Sequence, residues 1–160
     1  MTVAPLQLKF YFVSDLHFTT NKDFDVNKDP ELRQNDFLVK PDIHPEPDKP
    51  REFQVVLTIS HQAAAGTNAP YFFNVEVVGF FEVAEAFPAE RIDRLITVNG
   101  PSVLYGIARD VVRDVTSRGP YFSVLLPSVS FYEDSPQAEE GKPTNRLTTS
   151  AESQAALHNR

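Results

Sequence analysis

From Leu6 to Phe18 the even positions hold Leu6, Leu8, Phe10, Phe12, Leu16 and Phe18, with Ser14 as the single interruption. The odd positions hold Gln7, Lys9, Tyr11, Val13, Asp15 and His17. Alternation this long predicts a β-strand with one buried face. A second, shorter run carries Phe37, Val39 and Ile43 and is broken by Pro41. It predicts an edge strand, because proline cannot donate to a ladder. Pro41, Pro45, Pro47 and Pro50 make the stretch 41–50 an expected irregular connection. Phe53, Val55, Leu57 and Ile59 then share one side of a third strand over 52–61. A fourth, over 71–83, puts Phe73, Val75 and Val77 on one face and Phe72, Asn74, Glu76 and Val78 on the other. Between these two, Ala65-Gly66-Thr67-Asn68 has the residues of a hairpin turn. The stretch 19–35 is a charged crossover that still carries Phe24, Val26 and Leu32.

The period changes from two to 3.6 after the fourth strand. Residues 88–98 predict a short helix with Ile92, Leu95 and Ile96 inward. Asn99-Gly100 reads as a turn and Pro101 as the first residue of a longer helix, where the missing N–H costs nothing. Val103, Ile107, Val111 and Val115 mark its apolar stripe, widened by Leu104, Ala108 and Val112. Arg118 suits the negative pole of that helix, and Gly119-Pro120 stops it. An apolar extended segment follows, from Tyr121 to Phe131. Beyond it Glu, Ser, Gln, Thr and Asn dominate, with Pro136 and Pro143 among them. Residues 133–160 are therefore expected to be a polar disordered tail behind a single domain of residues 1–132. Strands followed by helices predict an α+β fold, a four-stranded antiparallel sheet packed with a long C-terminal helix.

Composition narrows the function. A chain of 160 residues with 41% apolar content fills one core. A net charge of -7 argues against nucleic acid or an anionic membrane as partner. The absence of cysteine excludes disulfides, thiol nucleophiles and thiolate metal sites. No apolar run approaches the ~20 residues of a membrane-spanning helix. The opening MTVAPLQLKF lacks a basic region followed by an apolar one, so a cytoplasmic location is expected. Thirteen Phe and five Tyr exceed what one small core needs. In a monomer the surplus would leave large apolar patches, so an oligomer interface is expected among them.

Catalytic chemistry has one foothold. Phe12-Val13-Ser14-Asp15-Leu16-His17 resembles the strand end that opens metallophosphoesterases, where an Asp-x-His pair helps to bind two metal ions. Asp15 and His17 would share a strand face, as such a site requires. The Gly-Asp and Gly-Asn-His motifs that complete it are missing, since no Gly precedes Asp and Asn99-Gly100 leads into Pro101. His44-Pro45-Glu46-Pro47-Asp48 reads as a solvated loop, because its prolines splay the side chains apart. There is no Gly-rich phosphate loop, nucleophile elbow or dinucleotide fingerprint. No enzyme, metal or cofactor is expected.

A different motif is better preserved. Pro101, Leu104, Tyr105, Ala108, Arg109 and Asp110 are followed by Ser117-Arg118-Gly119 and then Ser128-Val129-Ser130-Phe131. In order and spacing this resembles the signature of the SecB protein-export chaperone family, with Gly106 where the family often has Pro and the final proline displaced to Pro127. The resemblance extends over roughly residues 6–131. It implies an ATP-independent holdase that binds unfolded preproteins and assembles as a dimer of dimers, first strands paired and long helices packed between two sheets. On that reading Tyr11, Val13, Val103, Ile107 and Val111 belong to the oligomer interface. Phe24, Phe37, Val39, Tyr121 and Phe122 are the candidate client-binding side chains, Phe37 matching a family position where Trp commonly follows a similar polar triplet. Asp15 matches one acid of the outer-face patch that docks the SecA motor, Thr19 and Asn74 replace two others, and Glu76 restores one charge. The family's terminal amphipathic helix is replaced by the polar run that begins at Tyr132. These departures admit a second client class, such as an antitoxin, beside preproteins.

Overall fold

The computed structural model describes residues 2–132; the expected tail over 133–160 lies outside the described residues. Four strands, β1 (Leu6–Thr20), β2 (Phe37–Glu46), β3 (Lys49–His61) and β4 (Tyr71–Val83), precede one helix, α1 (Ile92–Ser117). All neighbours are antiparallel, in the order β1-β4-β3-β2, and α1 lies across one face, chiefly over β3 and β4.

The core follows the alternation. Val55, Leu57 and Ile59 of β3 and Phe73, Val75, Val77 and Phe81 of β4 point to the helix side and are buried. From α1, Ile92, Ile96, Leu104, Ala108 and Val112 meet them. Each large aliphatic so buried contributes roughly 1.5–3 kcal/mol before entropy is subtracted. The helix comes close to the sheet at two glycines. A Cβ at Gly79 would stand 2.6 Å from Cδ2 of Leu104, and one at Gly100 would stand 3.1 Å from Cγ2 of Val55.

Four expectations are corrected. The stretch around Pro41 and Pro45 is regular: β2 runs through both prolines, and a two-residue Pro47-Asp48 turn joins it to β3. The register has one parity for Pro41 and Pro45, and an edge strand leaves the N–H positions of one parity facing away from its neighbour. Asp48 takes the positive φ of 63° that the turn needs, which a short polar side chain tolerates. The two predicted helices are one, and Pro101 sits inside it. The carbonyl orphaned by its missing N–H belongs to exposed Thr97, where water can satisfy it. Asn99 and Ser102 donate side-chain bonds back to the carbonyls of Leu95 and Val98, at 3.1 and 2.6 Å. The buried line of the helix is Leu104, Ala108 and Val112, while Val103 is exposed and Ile107 and Val111 are half-buried.

The fourth correction concerns β1, which does not keep one face. Its pairing with β4 shifts between Leu8 and Phe10 and again between Val13 and Asp15. Each bulge inserts one residue and reverses the parity of everything beyond it. Leu6, Leu8, Tyr11, Val13, Leu16 and Phe18 therefore face the helix side, opposite Val83, Phe81, Gly79, Val77, Val75 and Phe73. Phe10 and Phe12 are carried to the outer face, beside Phe80 and Val78.

After α1 the chain turns at Gly119 and runs back beside the helix. The Val124 N–H donates to Thr116 Oγ1 (2.9 Å), and Tyr105 donates its hydroxyl proton to the Pro127 carbonyl (2.6 Å). The Phe131 ring packs edge-on to Tyr105. Val124 and Leu126 of this arm are buried in the core.

Candidate functional site

Three aromatic or acidic surfaces are left open by this packing. The first lies where the crossover after β1 meets the start of the arm. Phe24 packs on Tyr121 at 4.6 Å between ring centroids and on Phe122 at 6.0 Å. Tyr121 is pinned from three sides: its N–H donates to Tyr71 Oη (3.1 Å), its hydroxyl donates to the Asn21 carbonyl (3.1 Å), and its ring packs on Tyr71 at 5.6 Å. A side chain at Gly119 would overlap the Tyr71 phenol, so a glycine there allows the arm to leave the helix at this angle. Phe122 remains 42% exposed and Val26 of the crossover 69% exposed.

Phe37 and Val39 do not join that surface. They sit on the helix side of edge strand β2, half-buried, with the Phe37 ring packed at a tilt on His61, 4.6 Å between centroids. What links the two places is a line of rings across the sheet end. Phe37, His61, Phe73, Phe18, Tyr71, Tyr121 and Phe24 follow one another at steps of 4.6 to 5.6 Å. Within it His61 is buried, its Nδ1 lies 3.0 Å from the Tyr71 carbonyl, and its Nε2 has no partner among the described residues. A carbonyl only accepts, so the proton is on Nδ1. Burial pushes the imidazole pKa below its ordinary value, against the opposing pull of the Tyr71 carbonyl and the Asp36 carboxylate.

The second surface is the outer sheet face, and the alternation hid it. Phe10, Phe12 and Phe80 form a triangle with centroids 6.0 to 6.4 Å apart, and Phe10 is 60% exposed. The bulges that create it leave no signature that a hydropathy pattern can register. Beside it Asp15 and Glu76 are opposed in the register. Glu76 accepts from Ser14 Oγ at 2.7 Å, and Asp15 accepts from Asn74 Nδ2 at 2.7 Å. His17 shares this face, with Nε2 3.3 Å from Thr19 Oγ1. Among the described residues no three His, Asp or Glu side chains gather as metal ligands.

The third surface is the helix side of β1, which α1 reaches far less than it reaches β3 and β4. Tyr11 is 47% exposed there, and Val103 on the outer side of α1 is 42% exposed. No helix among the described residues is long and apolar enough to cross a membrane.

One antiparallel sheet, one helix on a single face and open aromatic surfaces on both sides define an α+β fold of the SecB type. The chain belongs to the SecB family: the family described as preprotein translocase subunit SecB matches residues 2–137. A protein-export protein SecB of Psychrobacter arcticus is 31% identical over 88 residues, 55% of this chain and 59% of that one. Another, of Acidithiobacillus ferrooxidans, is 33% identical over 78 residues, 49% of this chain and 52% of that one. The chain thus spans between half and three fifths of the length of these curated relatives. Among solved structures, a Mycobacterium tuberculosis SecB-like chaperone in complex with a peptide from an antitoxin shares the fold. Its TM-score is 0.59 at 16% identity, covering 79% of this chain and 91% of that one.

Proposed function

We propose that this protein is an ATP-independent holdase that binds unfolded polypeptides, catalyses no reaction and needs no cofactor. The observation that carries the reading is the Phe24, Tyr121 and Phe122 cluster, held open by hydrogen bonds from Tyr121 to two separate elements. Rigid rings on a fixed frame offer apolar contact at low entropic cost. One client Leu or Phe buried there gains roughly 1.5–3 kcal/mol before ordering costs, which is weak and exchangeable. Useful affinity then needs several such surfaces on one assembly. A dimer of dimers supplies them, through Tyr11, Val13, Val103, Ile107 and Val111. Phe37 and Val39 extend the client surface along the exposed edge of β2. The setting is the cytoplasm, the clients are preproteins, and Asp15 with Glu76 forms what is left of a docking face for SecA.

A second client class is favoured by one detail of that face. Asn74 occupies an acidic position and ties up Asp15, and Thr19 occupies another, so the patch presents less charge to SecA. A chaperone of this family serving a non-export client such as an antitoxin has no use for those acids. The test of the common reading mixes purified protein with a chemically unfolded substrate and follows light scattering. Aggregation should be suppressed at an equimolar ratio of assembly to substrate, and F24A/F122A should lose most of that suppression. Unchanged aggregation with the wild-type protein overturns the holdase reading. Calorimetric titration with SecA then separates the two client classes.

A further inference from the structure

A cleft apart from all three surfaces lies at the N-terminal end of α1. It encloses about 460 Å³, and Phe87, Arg91, Arg94, Leu95, Val98 and Tyr132 form much of its wall. Two guanidinium groups dominate its charge. Arg91 lies over the Phe87 ring at 5.9 Å and Arg94 over the Tyr132 ring at 5.0 Å, with Arg94 also donating to the Tyr132 hydroxyl. Among the described residues neither guanidinium has a carboxylate in ion-pair contact. Among the described residues Glu90 is the one acid on the wall, and the cleft lies at the positive pole of α1. In a chain of net charge -7 this is a cationic cleft with apolar sides.

We propose that the cleft is the docking site of this chain's own acidic segment, residues 133–140. Three observations favour that occupant. Tyr132, the last residue before the segment, is itself a wall of the cleft, so the chain passes into position 133 at its mouth. The segment reads Glu133-Asp134-Ser135-Pro136-Gln137-Ala138-Glu139-Glu140, four carboxylates in eight residues, facing two arginines. An extended chain advances about 3.5 Å per residue, so Glu133 and Asp134 reach the guanidinium groups from Tyr132 without strain. The tether raises the local concentration of these carboxylates to the order of millimolar, which a free acidic peptide must exceed to compete. Docking covers the apolar wall of Phe87, Leu95 and Val98 and orders the end of the arm. It does not depend on the holdase reading.

The chain has no cysteine, so Gln137→Cys gives a single site for a nitroxide on the full-length protein. The backbone amide signals of Leu95, Val98 and Asn99 should lose most of their intensity relative to the reduced label, while Val75 in β4 should not. The loss should disappear in R91E/R94E and in R91Q/R94Q. It should also disappear at about 0.5 M salt, where the screening length falls to about 4 Å. It should return when R91E/R94E is combined with E133K/D134K. Absent broadening, or broadening indifferent to Arg91 and Arg94, overturns the proposal. A mixture of nitroxide-bearing chains with separate isotope-labelled chains checks the tether. Full broadening in that mixture also overturns it, by assigning the contact to a neighbouring copy.

Discussion

At the scale of single residues, two buried positions decide how tightly the sheet and helix fit. Gly79 faces Leu104 and Phe81 so closely that a Cβ would stand 2.6 and 2.9 Å from their side-chain carbons. Both neighbours are buried in the core and have little room to retreat. Gly79→Ala should therefore destabilise by about 1–3 kcal/mol, the usual cost of overpacking. A urea titration should show a lower midpoint with an unchanged slope. His61 makes stability depend on pH. Its folded pKa lies below the ordinary value of 6.5, so the unfolded chain takes up the proton first. The stabilising contribution is complete above pH 6.5 and is lost as the pH falls towards the folded pKa. His61→Phe, which keeps a ring between Phe37 and Phe73, should flatten that part of a stability profile measured by denaturant titration at successive pH values. An unchanged slope below pH 6.5 would place the proton uptake elsewhere.

At the scale of elements, the arm from Gly119 to Tyr132 depends on Thr116. Its hydroxyl donates to the Val112 carbonyl at 2.7 Å and accepts from the Val124 N–H at 2.9 Å, and the residue is buried. Thr116→Val keeps the shape and orphans the Val124 N–H, at a cost of about 1–3 kcal/mol. Hydrogen exchange should accelerate at Val124 and Leu126 ahead of the β3–β4 core; equal acceleration throughout would show that arm and sheet open together. The same element shows what the sequence made legible. Where one residue type faces one environment, as in β3 and β4, alternation gives the buried face directly. The stop at Gly119-Pro120 is equally plain from the residue types, and the Tyr71 phenol leaves no room for a Cβ there. Pro101 and Pro41 mislead because proline punctuates only when its missing N–H is buried. Both occupy places where that loss falls on an exposed carbonyl or an open edge. The bulges of β1 are invisible because they exchange one apolar residue for another at each face, Phe10 for Tyr11 and Phe12 for Val13. The candidate client residues divide for a related reason. Phe24, Tyr121 and Phe122 meet through a crossover of long sequence separation, which no periodicity encodes, while Phe37 and Val39 follow the period of β2 inward.

At the scale of the whole molecule, one chain leaves its first strand half finished. β1 is 15 residues long and forms the edge of the sheet, with no strand beside it on one side among the described residues. On its helix side Tyr11, Val13 and Leu16 are exposed because α1 lies over β3 and β4 instead. A long edge strand with bare apolar faces invites pairing, and natural proteins cover such edges. A second copy presenting the same strand satisfies the ladder and buries the same side chains on both partners, as a two-fold interface requires. Val103, on the side of α1 turned away from the sheet, then has a surface left for a second layer. The wild-type chain should therefore run, by size exclusion with light scattering, at a multiple of 18.0 kDa, with four copies expected. Tyr11→Asp combined with Val103→Asp should reduce the mass. Its far-ultraviolet dichroism should be nearly unchanged, because exposed substitutions usually move stability by no more than about 0.5 kcal/mol. The double variant should also lose suppression of aggregation more steeply than either Phe24→Ala or Phe122→Ala alone, since dismantling the assembly removes multivalency rather than one contact. A wild-type monomer would leave the edge of β1 without its partner. The exposed ladder and the surplus of aromatic side chains would then need a different occupant.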